Sequence, residues 1–268
     1  MNKTLGFIGS GNMGGAMIGG IIKAGLLPKE NIYVSDINEA SLAHMKESYG
    51  VKVTTDNAEL AKACDIIVLS VKPFLYPIVI SGIKDVVKED VIIVVIAAGQ
   101  SSETVKQLFG RDIKIVKTMP NTPALVGEGM AAIAPAKNVM KEETEEIVAI
   151  FNSFGKSEIV PEHLMDAVTA VSGSSPAYVY MFIEAMADAA VVEGMPRAQA
   201  YKFAAQSVLG SAQMVLETGK HPGELKDMVC SPGGTTIAAV AKLEETGLRA
   251  SVMQAMKACA DKSREMSK

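Results

Sequence analysis

Six residues near the N-terminus, Gly9-Ser10-Gly11-Asn12-Met13-Gly14, constrain this chain more than any other stretch. They fit G-x-G-x-x-G and stand between an apolar run, Thr4 to Ile8, and a segment with helical spacing, Met13 to Ala24. In that setting each glycine has a task. The first permits a tight turn, the second lets a pyrophosphate approach the backbone, and the third lets the helix pack on the strand, while the helix N-terminus faces the anion. A second β-branched run, Ile32 to Ser35, ends at Asp36, 22 residues beyond Gly14 and close to where an acidic residue meets an adenosine ribose. The spacing predicts a nicotinamide dinucleotide site; the alternative is a glycine-rich turn that serves packing alone.

Up to about residue 160 the same alternation continues. Ile66 to Ser70, Val91 to Ile96 and Ile113 to Val116 are nearly continuous apolar runs, as parallel strands covered on both faces require. Glu39 to Tyr49, Ala58 to Ala63 and Ser102 to Leu108 have helical spacing between them, and a strand at Met130 to Ala134 followed by a helix at Glu142 to Phe151 completes the half. The expected fold is α/β: an N-terminal Rossmann-type parallel-sheet domain over residues 1–160. After Pro161 the β-branched runs vanish, and an all-helical domain is expected over 161–268, with helices near 162–171, 176–193, 196–217, 222–228, 235–245 and 248–266. Pro176, Pro196 and Pro222 each suit a first helical turn. Met181, Ala185, Met186 and Ala189, with Met214 on the next helix, form small apolar stripes that read as core and as packing between subunits, so a homodimer is expected. No flexible linker separates the halves, which predicts tight packing across a cleft.

Composition removes other classes. The two halves each carry a net charge of −2, with 16 basic against 18 acidic residues up to 160 and 10 against 12 beyond, so neither half is basic enough for nucleic acid. The longest apolar run, Val91 to Gly99, is nine residues, about half of a membrane span. Glycines and Lys23 interrupt the apolar N-terminus, which argues against an export signal. Cys64, Cys230 and Cys259 are an odd number with no close pair, which fits a reducing, cytoplasmic setting rather than disulfides or zinc. No metal site is expected.

The candidate cofactor residues extend beyond the glycine loop. A carboxylate at Asp36 bonds a free ribose 2′-hydroxyl and repels a 2′-phosphate, and residues 37–41 supply no Arg or Lys, which leans toward NADH; Ser35, Asn38 and Asn57 can still donate to a phosphate. Ligands of open parallel sheets lie beyond the carboxyl ends of the strands. That places Val71-Lys72-Pro73 and Ala97-Ala98 beside the ribose and nicotinamide, although Lys72 reads equally as an ordinary surface lysine. Met119-Pro120-Asn121-Thr122-Pro123 reads as a rigid crevice wall, with Asn121 free to bond. In the helical half, Ser172-Gly173-Ser174-Ser175-Pro176 and Ser231-Pro232-Gly233-Gly234-Thr235-Thr236 each open a helix with hydroxyls and glycine-freed N–H groups, an arrangement suited to a small carboxylate. His44, His163 and His221 have no evident acidic partner. Ketone reduction commonly needs a positioned proton donor, whereas an imine nitrogen can arrive protonated; the chain therefore favours C=N over C=O.

Across essentially its whole length the sequence resembles pyrroline-5-carboxylate reductases. The likeness rests on Phe7 to Gly14, Val71-Lys72-Pro73, Ala97-Ala98-Gly99, Met119 to Pro123, Ser172 to Tyr178, and the stretch from His221-Pro222-Gly223 to Thr236. It implies helices interleaved between two subunits and higher assembly such as a decamer of five dimers. It also implies a dinucleotide held by Gly9, Ser10, Gly11, Asn12, Met13, Gly14, Ser35, Asp36, Asn57, Val71, Lys72, Pro73, Ala97 and Ala98. By the same resemblance Ser231, Gly233, Gly234 and Thr235 hold the substrate carboxylate, and Thr236 hydrogen-bonds the ring nitrogen as hydride passes to the C=N carbon of 1-pyrroline-5-carboxylate. The family generally prefers NADPH, from which Asp36 departs. A β-hydroxyacid dehydrogenase would need a catalytic lysine on the first long helix of the second half, yet no lysine occurs between Glu162 and Tyr201. A nucleotide-sensing protein would bind the dinucleotide and turn over no cyclic imine.

Overall fold

A computed structural model describes residues 3–266. The chain falls into two compact units, residues 3–174 with 258–266, and residues 175–257. The first is built on an eight-stranded sheet. Its strands are β1 (Leu5–Ile8), β2 (Ile32–Ser35), β3 (Lys52–Thr54), β4 (Ile66–Leu69), β5 (Ile92–Val95), β6 (Lys114–Met119), β7 (Gly129–Pro135) and β8 (Gly155–Ile159), in the order β3-β2-β1-β4-β5-β6-β7-β8. All neighbours are parallel except β6 and β7. The first six give the strand order of a dinucleotide-binding sheet, with the crossover from β1 to β4 that opens a crevice at the strands' carboxyl ends.

The apolar runs fold this way because each strand is divided by parity between two cores. Ile66 and Val68 of β4, with Ile92 and Val94 of β5, join one cluster, while Ile67, Leu69, Ile93 and Val95 join the other. Helices α1 (Asn12–Lys23), α2 (Glu39–Tyr49) and α6 (Lys141–Asn152) supply the first cluster with Met17, Ile18, Ile21, Leu42, Met45, Ile147 and Phe151. Helices α3 (Asn57–Ala63), α4 (Tyr76–Ile83) and α5 (Ser102–Phe109) supply the second with Leu60, Tyr76, Ile80, Ile83, Val105 and Phe109. A strand residue buried this way contributes about 1.5–3 kcal/mol, and alternate side chains facing opposite cores double what each strand can bury.

Asp65 fastens the entry to this sheet. It accepts from the Thr4 N–H at 2.8 Å and the Thr4 hydroxyl at 2.9 Å, and pairs with Lys88 at 2.7 Å. Burial pushes its carboxyl up, but the bonds from Lys88 and Thr4 outweigh that and hold it below its ordinary 3.8. Such a group stabilises the fold above the unfolded value and loses its contribution as pH falls through the lower folded value. Asp65→Asn is expected to cost about 1 kcal/mol at pH 7. In urea titrations the gap from the parent protein should close below pH 3.8; a gap that is constant down to pH 2 would refute this reading.

The expected 162–171 helix is broken. It is a 3-10 turn at Glu162–Leu164, a short α7 (Met165–Val168) and a π turn at Thr169–Gly173. The second unit contains α8 (Ser175–Val192), α9 (Arg197–Thr218), α10 (Pro222–Val229), α11 (Thr235–Glu245) and most of α12 (Leu248–Met266), whose last turns belong to the first unit. In residues 175–257 the buried apolar side chains are Ala187, Ala200 and Ala204, whereas Met181, Phe203 and Leu216 are 69%, 67% and 82% exposed. A unit whose interior is alanine cannot offset its own ordering entropy; its exposed apolar faces require cover from another subunit. Among the described residues no helix is long and apolar enough to cross a membrane.

Candidate active site

The glycine loop leaves β1 and enters α1. Gly9 has φ +102°, and a Cβ there would lie 2.7 Å from the Ser70 carbonyl; its N–H donates to the Ser35 carbonyl at 2.8 Å. Gly14 is buried, and a Cβ on it would meet the Gly9 carbonyl at 2.7 Å. These two glycines are required by the fold itself. Gly11 differs: it is exposed, a Cβ would meet nothing within 4 Å, and it stands at the N-cap of α1 with no side chain capping the helix. Open space over an uncapped helix N-terminus fits a pyrophosphate, since the free N–H groups and the helix dipole both point there.

Around this loop the strand ends are tied together. The Asp36 Oδ2 accepts from the Ser10 N–H and the Ser10 hydroxyl, each at 2.7 Å, and Oδ1 accepts from the Asn38 N–H at 2.9 Å. Burial alone would push this carboxyl up; the Ser10 hydroxyl and the N–H groups of Asn38, Ser10 and Ile37 hold it below 3.8. Ser35 is fully buried and donates to Asn57 Oδ1 at 2.7 Å, so that Asn57, at the start of α3, is the polar group held at the surface of that pair. Val71 and Pro73 are half-buried and Lys72 is exposed. The buried Tyr76 hydroxyl donates to the Leu69 carbonyl at 2.9 Å and fixes the turn that carries these three residues. Ala97 is buried and Ala98 half-buried; Gly99, at φ +73°, lies so close to the last turn of α12 that a Cβ would meet Met266 Cβ at 2.8 Å.

Two expectations change here. Asn121 is not free: its Nδ2 donates to the Ser172 carbonyl at 3.0 Å and its Oδ1 accepts from the Met130 N–H at 2.8 Å, making it a brace between the β6 end and the π turn. In the Ser172 to Pro176 segment the Ser172 hydroxyl is spent on the Val168 carbonyl at 3.1 Å, and the Ser174 hydroxyl oxygen accepts from the Cys259 thiol at 3.2 Å. One group escaped the sequence reading altogether. Lys117, 6% exposed, has its Nζ 3.9 Å from Glu162 Oε1, an oxygen that also accepts the Ser102 N–H at 2.8 Å. Burial lowers its pKa against the opposing pull of Glu162 and Asp166.

In the second unit, Ser231 to Thr236 form a tight turn into α11. Gly233 has φ +69°, the Gly234 N–H donates to the Ser231 carbonyl at 3.1 Å, and a Cβ on Gly234 would strike the Ser231 hydroxyl. Gly234 is the N-cap and no side chain caps the helix, so the first N–H groups, with the Thr235 and Thr236 hydroxyls at the first two helical positions, are available to an anion. His221 caps α10, its Nδ1 accepting the Gly223 N–H at 3.0 Å.

Comparisons with known proteins agree with both halves. Residues 162–266 match the family model described as pyrroline-5-carboxylate reductase dimerisation, and residues 4–99 match that of NADP oxidoreductases, coenzyme F420-dependent. The chain is 51% identical over its whole length, and over the whole of the relative, to the pyrroline-5-carboxylate reductase of Escherichia coli K12. It is similar, at 36% identity and TM-score 0.91, to the Plasmodium falciparum pyrroline carboxylate reductase solved with NADP bound, covering 100% of this chain and 99% of that one. The Coxiella burnetii pyrroline-5-carboxylate reductase superposes with TM-score 0.94 at 32% identity, each chain fully covered.

Proposed function

We propose residue roles from one premise: this chain belongs to the pyrroline-5-carboxylate reductase family and reduces 1-pyrroline-5-carboxylate to L-proline with NAD(P)H. Residues 1–160 are assigned to cofactor binding, and 161–268 to dimerisation and substrate binding. Gly9 to Gly14 hold the pyrophosphate at the α1 N-terminus. Ser35, Asp36 and Asn57 serve the adenosine side, while Val71, Lys72, Pro73, Ala97 and Ala98 line the nicotinamide side. When bound, the reduced dinucleotide supplies the hydride received by the C=N carbon.

The substrate carboxylate is held in the turn of Ser231, Gly233, Gly234 and Thr235, by the Gly233 and Thr235 N–H groups and the Ser231 and Thr235 hydroxyls, while the Gly234 N–H closes the turn on the Ser231 carbonyl. The observation that carries this assignment is the uncapped α11 N-terminus behind two glycines, one at φ +69°. Thr236 accepts a hydrogen bond from the protonated ring nitrogen and fixes which face of the ring is presented. Because the iminium form already carries its proton, no side chain has to deliver one as the hydride arrives, and the rate is gained through positioning. The dimer that the helical faces require is proposed to assemble further, as five dimers, on family likeness. A cytoplasmic location is proposed with it, in keeping with three free thiols.

Steady-state reduction of 1-pyrroline-5-carboxylate with NADPH and NADH in parallel tests the residue scheme and the activity together, and sedimentation of the same preparation tests the decamer. Turnover with either cofactor is expected. Dinucleotide binding with no turnover of any cyclic imine would favour a sensing protein instead.

A further inference from the structure

Asp36 follows β2 directly, where a ribose-reading carboxylate belongs, yet three of its acceptor positions are already taken. Oδ2 receives both the N–H and the hydroxyl of Ser10 at 2.7 Å, and Oδ1 receives the Asn38 N–H at 2.9 Å. A carboxylate offers about four lone-pair sites, two on each oxygen. With Oδ2 filled and Oδ1 half filled, the side chain cannot accept from two ribose hydroxyls without releasing Ser10. Ser10 itself is 5% exposed and immediately precedes Gly11, whose backbone borders the open space over α1.

We infer that Asp36 is a positioning residue for the phosphate loop, acting through Ser10, and that it does not select between cofactors with and without the 2′-phosphate. This rests on the dinucleotide reading of the glycine loop. The physical reasoning has two parts. A loop residue held by two charge-assisted hydrogen bonds keeps the following N–H groups aimed at the anion before it binds, which lowers the ordering cost for any pyrophosphate. The same bonds spread the carboxylate's charge over three protein donors, so that it repels a nearby phosphate less than a bare aspartate would. This explains how an acidic residue at this place is compatible with a fold that binds NADP in a relative.

Fluorescence titration of NADPH and of NADH on the intact protein separates the alternatives, with Asp36→Asn, Ser10→Ala and the double variant alongside the parent. Asp36→Asn should raise both dissociation constants about tenfold, with their ratio within about twofold of the parent's. The double variant should be hardly worse than Asp36→Asn alone, because Ser10→Ala removes the hydroxyl bond, one of the two that Asp36→Asn weakens. The melting temperature should fall by no more than a few degrees and the Michaelis constant for the imine should stay near the parent's, a split that a general loss of structure would not give. A rise in NADPH affinity relative to NADH of fivefold or more on Asp36→Asn would overturn the inference and make Asp36 a direct reader of the ribose. Unchanged affinities would overturn it too, and Ser10→Ala decides the same question if Asp36→Asn does not fold. Failure of the parent protein to bind either dinucleotide would overturn the cofactor reading itself.

Discussion

Thr236→Ala is expected to lower kcat for 1-pyrroline-5-carboxylate about a hundredfold while NADPH binds as tightly as before, a loss of about 2.7 kcal/mol of transition-state stabilisation. Thr236 occupies the second position of α11, where the helix has no side-chain cap to lose, so the substitution removes a hydroxyl without removing a structural bond of that helix. Alanine is also a good helix former, and the melting temperature should move little. On the proposed placement of Thr236 the effect comes from the bound substrate: without the hydroxyl the ring nitrogen would lose its acceptor, the ring could tilt, and misplacement of a reacting carbon by 1 Å can cost about a hundredfold. Thr236→Ser, which keeps the hydroxyl, should recover most of the rate. If nucleotide affinity collapsed instead, or if Thr236→Ser were as slow as the alanine variant, the hydroxyl would have another task.

The sequence made the first unit readable because burial on both faces leaves a strong signature. β4 and β5 are unbroken apolar runs, and only a parallel sheet sandwiched between helices turns such runs into two cores. What escaped notice lacked that signature. β3 is three residues at a sheet edge, and β8 reads Gly155-Lys156-Ser157-Glu158-Ile159, mostly polar, because an edge strand has one neighbour and little to bury. α4, Tyr76-Pro77-Ile78-Val79-Ile80-Ser81-Gly82-Ile83, is rich in β-branched residues and holds a glycine in its last turn, so propensity opposes the helix that packing imposes. Ending the β6 reading at Val116 left Lys117 outside the strand, and with it the ion pair to Glu162. In the site, the glycine motifs were legible because Gly9, Gly14 and Gly233 stand where the backbone needs glycine, whereas the partner of a polar side chain was not. Asp36 on Ser10 and Asn121 on the Ser172 carbonyl are pairings across the fold that spacing along the chain does not encode.

The three glycines of the loop should give three different phenotypes, and Gly11 the most informative. Gly11→Ala is expected to leave the fold intact, since the new methyl meets nothing within 4 Å, and yet to weaken NADPH and NADH binding by up to about a hundredfold. The methyl would fill the space over the α1 N-terminus where the pyrophosphate has to reach the free N–H groups. Gly14→Ala should behave in the opposite way. Its Cβ would lie 2.7 Å from the Gly9 carbonyl and 3.0 Å from the Ser70 hydroxyl oxygen, so helix and strand must separate; a loss of about 1–3 kcal/mol, read as a fall of several degrees in melting temperature, should accompany whatever happens to binding. Gly9→Ala adds backbone strain at φ +102° to a clash with the Ser70 carbonyl, and should be the least stable of the three. Thermal melts and dinucleotide titrations on the same three variants decide the matter. If Gly11→Ala bound NADPH as well as the parent protein does, the open space over α1 would not be where the pyrophosphate lies, and the loop would be serving packing alone. A melting temperature for Gly11→Ala as low as that for Gly14→Ala would show that all three glycines are structural, and that the distinction drawn between them from the contacts of an added Cβ is wrong.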